Sequence, residues 1–282
     1  MTVRCETIND LPREITRFDR AVALIIPAYN EATHIADVIA RCRALGPTAI
    51  VVIDDASSDG TPKILDDLQA QDAAGTRFTF HNPRNLGKQG SVRRGLRILA
   101  ERGPRIDAVA LLDGDGQHDP GELPPLAALL DTHDVVIGAR THDEMPIHRR
   151  MSNGLVNAGY AVLGGVDFVD VQSGLRLYRW SSALVLAEEL PALGRYGIEH
   201  ESLAILARHA QRAGTPLVVA AAAISCAYGA AESSMRTADL WALAYGTIRQ
   251  ALRVRRAQRP LRRRGRSHSS RSLVTGELRE VA

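Results

Sequence analysis

Cysteine, aromatic residues, lysine and long apolar runs are all scarce in this chain, and each scarcity excludes something. The three cysteines, Cys5, Cys42 and Cys226, lie far apart and form no CxxC pair. Neither a disulfide framework nor a zinc centre is indicated, and a reducing cytoplasm fits best. Phe, Trp and Tyr make up 4% of the residues and the Arg-rich C-terminus has none, so the stacking platforms that single-stranded nucleic acid needs are missing there and no nucleic-acid partner is expected. The longest apolar run, residues 217–224, is far short of the ~20 residues that span a bilayer. Arg4, Glu6, Asp10 and Arg13 stand where a signal peptide requires an apolar core. The expected protein is cytoplasmic, soluble or peripherally bound, without a transmembrane helix. Lys63 and Lys88 are the only lysines, which reflects an arginine bias. No GxGxxG follows the first strand-like run, which disfavours a dinucleotide-dependent oxidoreductase.

What is present is enough for one full core: 282 residues, 45% hydrophobic and 24% charged. The net charge of +3 is uneven, because residues 253–282 hold ten arginines against Glu277 and Glu280, net +8, which leaves −5 for residues 1–252. The expected organisation is an N-terminal extension over 1–20, a catalytic domain over 21–236, an amphipathic helix over 237–256 and a basic, disordered tail over 257–282. In that helix Trp241, Leu243, Ala244, Ile248 and Leu252 with neighbouring arginines could lie on an anionic membrane surface. A solvated terminal helix is the equal alternative.

From residue 21 to 139 apolar runs alternate with helical periodicity, which favours an α/β fold with a mostly parallel central sheet and helices on both faces. Strands are expected at 21–26, 49–53, 77–81, 107–112 and 134–137. Helices are expected at 33–45, 61–71 and 91–102, the second with Thr61 as N-cap and Pro62 as first helical residue. Beyond residue 140 the spacing predicts helices at 149–163, 198–213 and 237–256 and strands at 175–178 and 217–225.

Ligands of open α/β sheets gather at the carboxyl ends of the strands, and those ends are polar here: Pro27-Ala-Tyr-Asn-Glu31, Asp54-Asp-Ala-Ser-Ser-Asp-Gly-Thr61 and Asp113-Gly-Asp-Gly-Gln117. Any one of these reads equally well as a helix cap or solvated turn; three on one edge do not. Side chains at i, i+2 and i+4 of an extended segment point one way, so Asp113, Asp115 and Gln117 are expected to converge. Three hard oxygen donors suit Mg²⁺ or Mn²⁺ beside a substrate phosphate. His118 would then point away, as an exposed loop histidine.

Together with Asn85-Leu-Gly-Lys88 and Ser173-Gly-Leu-Arg176, these segments resemble family 2 glycosyltransferases with the nucleotide-sugar-binding GT-A fold, over roughly residues 22–228. The resemblance is closest to the polyprenyl-phosphate, dolichyl-phosphate mannosyltransferase-like branch. It implies metal-dependent, inverting transfer of a hexose from a nucleotide-diphosphate sugar of the GDP-mannose or UDP-glucose type to polyprenyl phosphate. It further implies that Pro27, Tyr29, Glu31, Asp54 and Asp55 hold the base and ribose, that Lys88 and Asp113 meet the diphosphate, and that Asp113, Asp115 and Gln117 bind the metal. Asp115, Arg140, Arg176, Glu199 and Glu201 are the candidate catalytic residues. Arg140, Arg149, Arg150 and Arg176 are candidates to grip the acceptor phosphate, since arginine binds phosphate bidentately and stays charged.

A phosphate monoester, with a second pKa near ~6, attacks without a general base, whereas a soluble or glycan hydroxyl needs one. Glu199 or Glu201 occupies a region similar to where family members place it, although acidic residues at a helix N-terminus have an ordinary reason to be there. Gly114, Gly116 and Asp119 depart from the commoner metal-loop pattern, and Gln172 and Leu175 replace the frequent Thr and Phe, which leaves the acceptor open. A non-catalytic binding protein on a nucleotide-sugar fold is the remaining alternative.

Overall fold

The structure is a computed structural model. It describes residues 3–72, 75–102, 104–140, 147–193, 197–226 and 237–258, with the backbone alone over 147–149 and 237–244. Among these, eight strands form one sheet: β1 (Val3–Ile8), β2 (Val22–Ala28), β3 (Ala49–Asp54), β4 (Arg77–His81), β5 (Ala108–Leu111), β6 (Val135–Arg140), β7 (Arg176–Arg179) and β8 (Leu217–Ile224). Their order is β1-β8-β6-β7-β5-β2-β3-β4. Every pairing is parallel except those of β7, which runs antiparallel between β5 and β6. The amino end of β7 therefore joins the carboxyl ends of the other strands on one edge.

The expected α/β architecture is observed, and its cause is visible residue by residue. β3 is buried at every position, the continuous apolar run that a strand covered on both faces requires. In β2 the alternation sorts side chains between two cores. Val22, Leu24 and Ile26 pack with Ile35, Val38, Ile39 and Cys42 of α1 (Ile35–Ala44). Ala23 and Ile25 face Val92, Leu96 and Leu99 of α3 (Lys88–Arg102). Gly95 lets α3 approach so closely that a Cβ there would sit 2.8 Å from Ile25 Cγ2.

Four differences from the sequence reading bear on the site. β1 lies inside the stretch read as an N-terminal extension and pairs in parallel with β8; its one-sided burial leaves polar residues outward, so it lacks the apolar run used to find strands. In α2 (Thr61–Ala70) the N-cap is Gly60, not Thr61. α3 begins three residues before the expected 91, at Lys88. Two further helices, α4 (Leu123–Ala128) and α6 (Trp180–Glu189), leave no helical signature in the sequence, because the first has prolines at its second and third positions and the second is apolar on too many sides to show a stripe. Among the later helices, α5 (Ile147–Gly159) continues as a π turn over Tyr160–Gly164, while α7 (Ile198–Ala213) and α8 (Thr237–Ala257) match expectation closely.

Candidate active site

The loops after β2 and β3 are stitched to each other. Asn30 takes a left-handed backbone (φ 58°), tolerated by asparagine better than by most residues. Its N–H donates to Ser57 Oγ at 2.9 Å and its Oδ1 accepts from Ser58 N at 2.8 Å. Glu31 N donates to Thr61 Oγ1 at 2.8 Å, and Ala32 N to Asp59 Oδ2 at 3.1 Å. Tyr29 is 48% exposed one residue past the end of β2, in which Pro27 is the penultimate residue.

Asp54 and Asp55 turn inward. Asp54 accepts from Ser57 N at 3.1 Å and lies 2.9 Å from His81 Nδ1. Asp55 accepts from Asn82 Nδ2 at 2.7 Å and from the backbone N–H groups of Leu86 and Gly87, each at 2.8 Å. It thereby fixes the turn that delivers Lys88 at the first position of α3. Lys88 Nζ lies 2.7 Å from Asp113 Oδ1 and 2.8 Å from Glu199 Oε1. Burial lowers its pKa, but the two carboxylates outweigh that and hold it above the ordinary lysine value. A Cβ at Gly174 would overlap the Asp113 carboxylate and come within 2.8 Å of Lys88 Nζ, so any side chain there would displace this ion pair from its present position.

The segment from Asp113 to Gln117 is not extended, contrary to the sequence expectation. Gly114 and Asp115 form a turn, Gly116 has φ +72°, and Asp115 Oδ1 accepts from Gln117 N at 3.0 Å. His118, expected to be exposed, is 5% exposed and bridges to Cys226. Burial pushes its pKa down to about 4, so it is a neutral interior residue. The two glycines let the chain turn back, which breaks the alternation of an extended segment.

On the other side the charged candidates are held by the protein. Arg140 makes a fork with Asp170: Nε to Oδ2 at 2.8 Å and Nη2 to Oδ1 at 2.8 Å, both partners largely buried. Arg176 is 1% exposed. It donates to Ser173 O at 3.0 Å, to Glu199 O at 2.7 Å and to Val171 O, pinning the first turn of α7. Glu201 bonds to Gln250 and, at 2.6 Å, to Arg253 of α8, and so faces away from Lys88. Arg150 is exposed near the start of α5; the Arg149 side chain lies outside the described residues. Asp170, Ser173 and Asn82 are framing residues that motif spacing alone does not single out, although each sits in or near a motif segment.

The pattern that defines Glycosyl transferase family 2 matches residues 23–178. The chain belongs to that family. It is therefore a glycosyltransferase, and its relatives include a UDP-N-acetylglucosamine–dolichyl-phosphate N-acetylglucosaminyltransferase of Methanococcus voltae, 30% identical over 66% of this chain and 80% of that protein. Another is an undecaprenyl-phosphate mannosyltransferase of Micrococcus luteus, 32% identical over 56% of this chain and 66% of that one. Among solved structures, glucosyl-3-phosphoglycerate synthase from Mycobacterium tuberculosis in complex with Mn²⁺ and UDP-glucose superposes with a TM-score of 0.61, at 20% identity, over 89% of this chain and 86% of that chain. At that identity the likeness establishes the shared GT-A fold.

The strand-end acids of this glycosyltransferase fit a divalent cation. Burial raises the Glu31 carboxyl to about 7, and the nearby charges of Asp115, Asp113 and Asp59 add to the rise. Among the described residues no three His, Cys, Asp or Glu side chains gather closely enough to enclose an ion. Two carboxylates and the Gln117 amide would leave positions for phosphate oxygens, which suits Mg²⁺ or Mn²⁺ held partly by its substrate.

Proposed function

We propose that this glycosyltransferase moves a hexose, with inversion, from a nucleotide-diphosphate sugar of the GDP-mannose or UDP-glucose type to a polyprenyl phosphate. The observation that carries the acceptor is the state of Glu199, whose carboxylate is ion-paired at 2.8 Å with Lys88. A general base needs a free lone pair and a pKa near the working pH. Burial would raise Glu199, but Lys88 and Arg176 hold it down at about 2. A hydroxyl acceptor would find no base in it. A phosphate monoester needs none, because it is already mostly dianionic at neutral pH. Relatives named for dolichyl and undecaprenyl phosphate acceptors support the same reading.

In this reading Pro27, Tyr29 and Glu31 receive the base and ribose, with Asp54 and Asp55 holding the loops that form the pocket. Lys88 releases Asp113 to meet the diphosphate and keeps its ion pair with Glu199. Asp113, Asp115 and Gln117 hold the Mg²⁺ or Mn²⁺, which when bound neutralises charge on the departing nucleoside diphosphate. Arg149 and Arg150 meet the acceptor phosphate, while Arg140 and Arg176 frame it from behind.

The test is a product screen by mass spectrometry, pairing GDP-mannose, UDP-glucose and related donors with polyprenyl phosphate or soluble sugar acceptors, with Mg²⁺, Mn²⁺ or EDTA. Transfer to polyprenyl phosphate is expected, and Glu199→Gln should change its kcat by less than ~10-fold. A loss of ~10²–10⁴-fold, the usual contribution of a general base, or transfer to soluble hydroxyls alone, would overturn the acceptor assignment.

A further inference from the structure

Among the described residues ten large apolar side chains stand exposed, and six of them sit on two adjacent helical segments. Met151, Leu155 and Val162, on α5 and its π turn, are 71–74% exposed. Tyr245, Ile248 and Leu252, on α8, are 70%, 48% and 38% exposed. Their spacings, four and seven residues on one segment and three and four on the other, put each set on one helical face.

The two faces lie side by side. Val156 and Tyr160 on one segment, and Ala251, Val254 and Ala257 on the other, point into the same core, so the outward faces share the opposite side. Gly159 and Gly164 allow the close approach: a Cβ on Gly159 would sit 3.0 Å from Thr247 Cγ2, and one on Gly164 would sit 3.5 Å from Ala251 O. Isolated exposed apolar residues are ordinary; six on one packed pair are a patch of the kind that marks an interaction surface.

Charge identifies the partner. Residues 150–164 and 245–258 contain no acidic residue. Arg150 adjoins Met151, and Arg249, Arg255 and Arg256 are exposed along α8. The chain then continues into residues 259–282, with seven arginines against two glutamates. Apolar side chains flanked by arginine, with no acid over residues 150–164 and 245–258, complement a lipid surface carrying anionic headgroups. A protein partner or a second copy of this chain offers no such reason for excluding acids.

We propose that the outward faces of α5 and α8 form one docking surface for an anionic bilayer, with the apolar residues entering the headgroup boundary and the arginines meeting lipid phosphates. The surface deepens the acceptor reading and rests on it for its purpose: α5 follows β6, whose carboxyl end lies on the ligand-binding edge of the sheet, so a docked enzyme would meet a lipid phosphate at Arg150 without extracting the lipid. Binding itself requires no acceptor.

The experiment is sedimentation of the full chain with vesicles of phosphatidylcholine containing phosphatidylglycerol, or phosphatidylcholine alone, at low and high salt. Wild type should bind the anionic vesicles, and raising salt should weaken binding. The double variant Leu155→Ser, Ile248→Ser should bind at least ~10-fold more weakly with an unchanged circular dichroism spectrum. Arg249→Gln with Arg255→Gln should lower affinity and flatten the salt dependence. Vesicle binding unchanged in the serine variant overturns the proposal. So does a wild-type dimer in sedimentation velocity that the serine variant converts to monomer, since the face would then be a self-interface. Vesicle binding by a protein inactive on polyprenyl phosphate would refute the acceptor reading and leave the surface standing.

Discussion

On the donor side of the site, between β2 and β5, acidic and polar side chains accept mainly from backbone N–H groups of neighbouring loops, and Tyr29, Glu31, Asp113 and Asp115 remain partly open at the strand edge. On the acceptor side, between β6 and α8, the charged residues are consumed in the interior: Arg140 by Asp170, Arg176 by three carbonyl oxygens, Glu201 by α8. The donor half leaves Glu31, Asp113 and Asp115 partly accessible at the strand edge, whereas the acceptor half buries its charges against its own backbone and side chains. Residues of the first kind should therefore matter to activity and little to folding, and residues of the second kind the reverse.

The largest expected effect tests the first half of that contrast. Asp115→Asn keeps an oxygen acceptor for Gln117 N and removes the charge. Transfer should fall by about 10²–10³-fold or more, the scale of losing one preorganised electrostatic contact to a developing charge. The melting temperature should stay within about 2 °C of wild type. Retained activity with unchanged metal dependence would remove Asp115 from the site. A large fall in stability would instead place it among the framing residues.

Arg176→Met tests the second half. The replacement is close in volume but leaves the carbonyl groups of Val171, Ser173 and Glu199 without their donor, in a place where the arginine was 1% exposed. Breaking a buried charged network of this kind costs about 3–5 kcal/mol, or roughly 6–12 °C in melting temperature for a domain of this size. Thermal unfolding measures it. A variant as stable as wild type with activity lost would mean that Arg176 meets the substrate after all.

The same contrast explains what could be read from the sequence. Polar residues directly after apolar runs announced the donor side, because strand ends of a parallel sheet must be where ligands bind, and the family motifs fell on those ends. The expected alternation of Asp113, Asp115 and Gln117 broke at Gly114 and Gly116, whose turn no apolar pattern reports. On the acceptor side Arg140, Arg176 and Glu201 looked the same in sequence as residues waiting for a phosphate or a proton. Only their long-range partners, Asp170, the Glu199 carbonyl and Arg253, distinguish support from contact, and those pairings exist only once β6, β7, α7 and α8 are assembled. β1 was missed for a related reason: its place in the sheet is fixed by β8, more than two hundred residues away.

The smallest effect separates the halves by acid sensitivity. His200, on α7 behind Glu199, is buried against Tyr160, with ring centroids 5.7 Å apart and Nδ1 3.2 Å from the tyrosine hydroxyl. Burial lowers its pKa from 6.5 to about 4, against the pull of Glu199. The unfolded chain therefore binds a proton between pH 6.5 and 4 that the folded chain refuses. The stability tied to neutral His200 is fully present above pH 6.5 and is lost as pH falls through that window toward 4. His200→Phe keeps a ring against Tyr160 and removes the titration. The stability gap between wild type and variant should shrink by about 2–3 kcal/mol from pH 7 to pH 4, as measured by urea unfolding. A gap constant with pH would show that His200 can be protonated in place, and the packing of α7 on the π turn would then be looser than the stacked geometry requires.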